Sequence, residues 1–274
     1  MTQTFGVRLR AAVDARGPLC AGIDPHTSLL EAWGLPDSVD GLERFALTAT
    51  EALAAEASVV KPQSAFFERF GSRGVAVLEQ VIAGCRDAGA LVLLDVKRGD
   101  IGSTAQAYAD AYLDPRSPLA SDAITASPYL GFGSVQPMID TALAHGAGVF
   151  VLALTSNPEG PQVQHARAAT GRTVAGEVLA ALAEGNAGAE PLGSLGAVVG
   201  ATIGETTEQL DFNGPILAPG FGAQGGTVDD LRRIFGPAVG NVLPSSSREV
   251  LDRGPGVAAL RDAVRRVNDQ LSGL

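Results

Sequence analysis

Lysine is nearly missing from this sequence. Of 20 basic residues only two are lysine, Lys61 and Lys97, and the other 18 are arginine. Cysteine is as scarce: Cys20 and Cys85 cannot build a disulfide scaffold and are too few for a cysteine zinc site. No apolar run approaches the length of a membrane span, the strongest being near Val149 to Leu154. Positive charge is also in deficit. The 30 acidic residues leave a net charge of −10, which argues against general nucleic-acid binding because that needs a cationic face to displace counterions. The stretch Met1 to Arg16 carries Arg8, Arg10 and Asp14 with no continuous apolar core, so it does not read as a signal peptide. A cytoplasmic protein with neither membrane nor nucleic acid as partner is expected.

What is present supports a large core. The chain has 274 residues, 46% of them hydrophobic and 18% charged. Barrels of alternating strands and helices fold as single domains of roughly 250 residues, so residues 1–274 are expected to form one domain. The arginine bias has a second consequence. Arginine supplies the ordinary surface charge, and lysine remains where a compact ammonium, or one that gives up a proton, is needed. Chance survival of two lysines is the other reading.

Short apolar runs alternate with longer amphipathic stretches. The runs lie near Leu19–Ile23, Ser58–Val60, Ala90–Val96, Ala123–Thr125, Gly148–Ala153, Ala197–Ala201, Pro215–Ala218 and Asn241–Leu243. Helical patterns fall at Val39–Glu56, Val75–Ala88, Ser103–Leu113, Val135–His145, Val174–Gly185, Val228–Phe235 and Pro255–Leu271. Strands apolar throughout are covered on both faces, as crossover helices provide. Eight such units predict an α/β fold, a (β/α)8 TIM barrel, with a helix before Pro18. A doubly wound open sheet shares the alternation. The polar groups favour the barrel: almost every run ends in one, from Asp24 and Lys61 to Thr125, Thr155 and Arg248. A barrel gathers these ends into one ring, where barrel active sites form.

Two segments carry the chemistry. In Asp95-Val96-Lys97-Arg98-Gly99-Asp100, strand alternation points Asp95 and Lys97 to the same side, with Asp100 just beyond. Such a charged array is costly to desolvate unless its members pair. A structural ion pair with Asp100 capping the next helix is the plainer reading. Lys61, at the neighbouring strand end, would extend the array to Lys–Asp–Lys–Asp. The second segment runs from Pro219 through Gly220, Gly222, Gln224, Gly225 and Gly226 to Thr227. Its glycines allow close backbone approach, and the following helix is expected to offer free N–H groups to an anion. Barrels commonly hold phosphate between the loops after strands seven and eight, and Arg248 follows strand eight.

These residues resemble the orotidine 5′-monophosphate decarboxylase family. The resemblance rests on Asp95-x-Lys97-x-x-Asp100-Ile101 followed by Thr104, on the Pro219 to Gly226 loop, and on Arg248. Gly22-Ile23-Asp24-Pro25, Lys61 and Thr155-Ser156-Asn157-Pro158 match in order, so the similarity spans roughly Leu19 to Leu251. The stretch Glu159 to Leu195 is longer, as in one bacterial subgroup. The resemblance implies cofactor-independent and metal-independent decarboxylation of orotidine 5′-monophosphate to uridine 5′-monophosphate and CO2, the last step of pyrimidine nucleotide synthesis. It gives Lys97, Asp95, Asp100 and Lys61 catalytic roles. Asp24, Ile101, Thr104, Ser156, Pro219, Gln224 and Arg248 become substrate contacts, and Gly222, Gly225 and Gly226 the phosphate loop. It also implies a homodimer in which Asp100, Ile101 and Thr104 reach the partner's site. His26, His145 and His165 share no spacing and read as surface or core residues.

Three rivals keep the same barrel or pocket. A metal-dependent sugar-phosphate decarboxylase or synthase shares Asp-x-Lys-x-x-Asp but needs an acidic ligand where this chain has Lys61. A Schiff-base aldolase would use a lysine covalently. A non-catalytic nucleotide-binding module would bind uridine monophosphate without turnover.

Overall fold

The computed structural model describes residues 3–274. Eight parallel strands close into a barrel in sequence order: β1 (Cys20–Ile23), β2 (Val59–Pro62), β3 (Leu91–Arg98), β4 (Ala123–Ala126), β5 (Gly148–Leu154), β6 (Leu195–Val199), β7 (Ile216–Pro219) and β8 (Val242–Ser246), with β8 returning to β1. Every ladder is parallel, from Cys20 opposite Val59 to Pro219 opposite Ser245. The (β/α)8 reading therefore holds, and with it the choice of a closed barrel over an open sheet.

The strands bury both faces, because helices pack outside and side chains fill the inside. Inside lie Cys20, Val59, Leu91, Leu93, Ala123, Phe150, Val198, Leu217 and Leu243. Outside, α1 (Phe5–Arg16) is followed by α2 (Thr27–Ala32), α3 (Val39–Glu56), α4 (Ala65–Glu68), α5 (Gly71–Asp87) and α6 (Gly102–Leu113). The chain continues with α7 (Gln136–Ala144), α8 (Pro161–Gln164), α9 (Val174–Gly185), α10 (Val228–Phe235), α11 (Arg248–Leu251) and α12 (Val257–Leu271). Helices α3, α9 and α10 keep the bounds expected from the sequence pattern. Ser38 and Thr173 set two of those starts, each accepting a hydrogen bond from a first-turn backbone N–H.

The helix before Pro18 plugs one end of the barrel. Phe5 and Leu9 of α1 join the interior cluster, and the Phe5 ring meets Phe150 edge-on with centroids 6.0 Å apart. Arg8 fixes this helix by donating to Asp122 and to the Gly146 carbonyl. The other end, where the strands finish, stays open.

Several boundaries differ from the pattern. Strand β3 runs on to Arg98, so Lys97, just past the apolar run Ala90–Val96, still lies within the strand. Strand β6 occupies Leu195–Val199, two residues earlier than its apolar run. Asn186 pulls its start into place by exchanging hydrogen bonds with the backbone of Leu195. Between β6 and β7 the chain runs from Gly200 to Pro215 without a helix. No helix among the described residues is long and apolar enough to cross a membrane.

Candidate active site

The open end of the barrel holds a cavity of about 570 Å3. Asp24, Lys61, Asp95, Lys97, Ser156, Pro219, Gln224 and Arg248 all line it. These expected site residues come from six of the eight strand ends, so only closure of the barrel brings them together.

The charged array is a chain of ion pairs. Lys61 Nζ lies 3.8 Å from Asp24 Oδ1 and 3.6 Å from Asp95 Oδ2. Lys97 Nζ lies 2.6 Å from both oxygens of Asp95. Lys61 is 5% exposed and Asp95 7%, so neither charge could persist unpaired. Burial alone would push the Lys61 ammonium down. The Asp24 and Asp95 carboxylates outweigh that and hold its pKa above that of ordinary lysine. Burial alone would raise the Asp95 carboxyl. Lys61 and Lys97, with hydrogen bonds from Lys97 and Thr125, hold it below the usual carboxylate range instead. Lys97 differs from Lys61 in one respect: its side chain remains 45% exposed to the cavity. It is the cation of the array that the cavity can reach.

Local backbone geometry puts it there. The β3–β4 register shifts between Leu94 and Arg98, and Lys97 takes a φ of 44°, a left-handed conformation uncommon outside glycine. Thr125 on β4 stabilises this bulge. Its hydroxyl accepts from the Lys97 backbone N–H at 2.9 Å and donates to Asp95 Oδ1 at 2.7 Å. One buried hydroxyl thus holds both the strained backbone and the carboxylate. The sequence marked Thr125 as a polar strand end without revealing this double contact.

Asp24 joins the array to β8. Ser247 donates to its Oδ2 at 2.5 Å, while Oδ1 is buried without a hydrogen-bond partner and faces Lys61.

Other expected residues stand apart. Asp100, Ile101 and Thr104 lie on the connection from β3 into α6 and do not line the cavity. Ile101, not Asp100, is the N-cap of α6, and Asp100 Oδ1 accepts from the Ile101 N–H at 2.8 Å. Within one chain the array is therefore Asp24–Lys61–Asp95–Lys97, without Asp100. Gly222, Gly225 and Gly226 line a shallow recess behind the loop, while Gly220 lines the cavity. Gly222 has a φ of 72°, strained for any residue with a Cβ, and a Cβ there would lie 1.6 Å from Glu249 Oε2, so that carboxylate would have to move.

The helix after this loop is not the open anion site that the sequence suggested. Thr227 and Asp230 form a reciprocal capping box at the start of α10, and Asp229 and Asp230 place two negative charges in its first turn. Of the expected phosphate contacts, the Arg248 guanidinium and the Gln224 amide are the side chains that face the cavity. Sequence reasoning also passed over Gln63 and His26, which line the cavity; His26 packs edge-on against Phe66 with centroids 4.2 Å apart. A lone histidine without a spaced partner carries no sequence signal. Its position two residues beyond Asp24 was the available hint.

Comparison with known proteins agrees with this geometry. The profile of the Orotidine 5′-phosphate decarboxylase / HUMPS family matches residues 17–263. An orotidine 5′-phosphate decarboxylase of a Nocardioides species is 70% identical over 271 residues, covering 97% of this chain and 98% of that protein. The Salinispora arenicola protein of the same name is 66% identical over 266 residues, covering 97% and 96%. The crystal structure of a Streptomyces avermitilis protein assigned as an orotidine 5′-phosphate decarboxylase is similar with a TM-score of 0.97 and 61% identity. It covers 98% of this chain and 95% of that one.

Proposed function

This chain belongs to the Orotidine 5′-phosphate decarboxylase / HUMPS family, and from that premise we propose how its cavity works. The protein is a carboxy-lyase that converts orotidine 5′-monophosphate to uridine 5′-monophosphate and CO2 in pyrimidine nucleotide synthesis. The observation that carries the mechanism is the buried Lys61–Asp95–Lys97 array at the strand ends.

Breaking the bond between C6 and its carboxylate leaves an electron pair at C6, in the ring plane, where the π system cannot spread it. Fixed charge in the cavity must stabilise that pair. Lys97, the one array cation with an exposed side chain, points its ammonium at C6 and then donates the proton that replaces CO2. Asp95 lies beside the departing carboxylate. Two carboxylates about 4 Å apart repel by about 4 kcal/mol at an effective dielectric near 20, and loss of CO2 relieves that repulsion. Lys61 keeps Asp95 ionised and in place. Asp24 and Lys61, side by side in the cavity wall, take the ribose hydroxyls. Ser156 faces the pyrimidine. Gln224 and Arg248 grip the phosphate, and their binding energy is expressed in the transition state through loop closure.

The same array disfavours the metal-dependent rival. Asp95 is flanked by two ammonium groups at 3.6 and 2.6 Å, so a divalent cation there would meet positive charge on both sides. Among the described residues no group of three or more His, Cys, Asp or Glu is placed to hold a metal. Neither a cofactor nor a metal is required by this mechanism.

The working form is a homodimer, supported by exposed apolar groups. Ile101 is 61% exposed, Tyr129 77% and Leu130 56%. They project from the loops after β3 and β4, which are tied by the Ser127 N–H donating to the Arg98 carbonyl. An isologous pairing over this face would cover them and carry Asp100, Ile101 and Thr104 toward the partner's cavity. Two free, buried cysteines suit a reducing cytoplasm. The decisive experiment follows loss of orotidine 5′-monophosphate absorbance with purified, chelator-treated protein. Undiminished turnover is expected. Binding of uridine monophosphate without turnover would instead support a non-catalytic module, and activity restored only by added metal would support the metal-dependent rival.

A further inference from the structure

The segment Glu159 to Leu195 has no role in the mechanism above, yet Glu159 and Gln164 tie it to the cavity wall. Gln164, the last residue of α8, is half-buried and turns back onto the end of β5. Its Oε1 accepts from the Thr155 backbone N–H at 2.9 Å, and its Nε2 donates to Thr155 Oγ1 at 2.7 Å. The amide therefore grips both the main chain and the side chain of the residue preceding Ser156.

The grip continues past Ser156. Thr155 Oγ1 donates to Asn157 Oδ1 at 2.6 Å, and Asn157 Nδ2 donates to Glu159 Oε2 at 2.9 Å. Both neighbours of Ser156 are thus tied to the segment that follows. On the far side, Ser156 packs on Gly200 at the end of β6, where a Cβ would come within 3.3 Å of the Ser156 N and Cβ atoms. Among the described residues none hydrogen-bonds the Ser156 hydroxyl, which is left for a ligand while its backbone is clamped from two directions. Such an arrangement orders a contact before the ligand arrives and lowers the ordering cost of binding.

We propose that Gln164 is a positioning residue that preorganises Ser156 for the substrate's pyrimidine ring, and that this is what the segment after β5 contributes to the reaction. The proposal rests on the decarboxylase reading of the cavity. It differs from a purely structural role because Gln164 acts through Ser156 and not through the fold.

Steady-state kinetics of Gln164→Leu, Ser156→Ala and the double variant test it, with amide hydrogen exchange across 155–157. Leucine keeps the volume and removes both bonds to Thr155. We expect Gln164→Leu to lower kcat/KM by about five- to tenfold, mainly through a higher KM, with an unchanged melting temperature. In the Ser156→Ala background the same change should cost less than about twofold, since the group being positioned is gone. Exchange at Thr155 should quicken by about tenfold while the barrel strands stay protected. Equal losses in both backgrounds, no loss in either, or unchanged exchange at Thr155 would overturn the proposal. So would a Ser156→Ala variant with wild-type kinetics, even with turnover and its dependence on Lys97 intact. A wild-type protein that never decarboxylates the nucleotide would sink the functional reading instead, and exchange at Thr155 would still decide whether Gln164 holds the loop.

Discussion

The Lys97 ammonium sits 2.6 Å from both carboxylate oxygens of Asp95, two residues earlier on the same strand. A regular strand would place these side chains on one face but would not aim the longer one back onto the shorter. The left-handed backbone at Lys97, bonded through Thr125, accomplishes that. Lys97, the proposed proton donor, and Asp95, the carboxylate proposed to flank the leaving group, are therefore a single mechanical unit, and each prediction below disturbs a different part of its surroundings.

Replacing Lys97 separates charge from proton delivery. Lys97→Ala should abolish turnover while leaving uridine monophosphate binding measurable. Lys97→Arg keeps the charge, but a guanidinium does not release a proton and is too broad for the position between the Asp95 oxygens. Activity should fall below about a tenth of wild type, a loss above about 1.4 kcal/mol. A Lys97→Arg enzyme that stays above that threshold refutes the proton-donor assignment.

Asp95→Asn tests the array as a source of stability. The variant leaves Lys61 buried with Asp24 alone and removes the anion between two cations, which should destabilise the fold at pH 7 by about 3–5 kcal/mol. Because the Asp95 carboxyl is held below its unfolded value, its contribution is complete above roughly pH 4 and fades as pH falls through the folded value. The gap in melting temperature between wild type and variant should accordingly narrow on acidification below pH ~4. A gap that widens there contradicts the ion-pair account.

Arg248 is exposed at the cavity mouth, and among the described residues none hydrogen-bonds its guanidinium. Arg248→Ala should reduce kcat/KM on the nucleotide by about 2–4 kcal/mol, as expected for one or two charge-assisted bonds. A substrate analogue without phosphate should be converted equally well by both proteins. Matching losses on the two substrates would mean that Arg248 supports the barrel and not the phosphate.

Mixed dimers address the residues outside the cavity. Lys97→Ala and Asp100→Ala proteins are each expected to be inactive. If Asp100 serves the partner's cavity, each hybrid dimer has one doubly damaged site and one intact site. Random exchange makes half the dimers hybrids, so about a quarter of all sites should recover. With exchange verified by mass, a mixture as inactive as its parents rules out the shared site.

Much of this molecule is legible in its amino-acid order. Apolar runs covered on both faces, spaced by amphipathic helices, specify strands and crossovers locally, and α3, α9 and α10 begin and end where the pattern indicates. The two lysines in an arginine-rich chain marked the array before any coordinates, because residue choice there follows chemistry and not surface charge. Three things needed the tertiary structure. Parallel pairing of β1 with β2 and of β2 with β3 set Lys61, Asp95 and Asp24 within ion-pair distance, which no local signal encodes. The bulge at Lys97 depends on a hydroxyl from the neighbouring strand, so strand alternation could give the side but not the contact. The start of α10 looked open to an anion, whereas its own Thr227–Asp230 box fills it. Local order determines which elements form; long-range closure decides which of their polar ends meet, because those contacts join residues up to 223 positions apart.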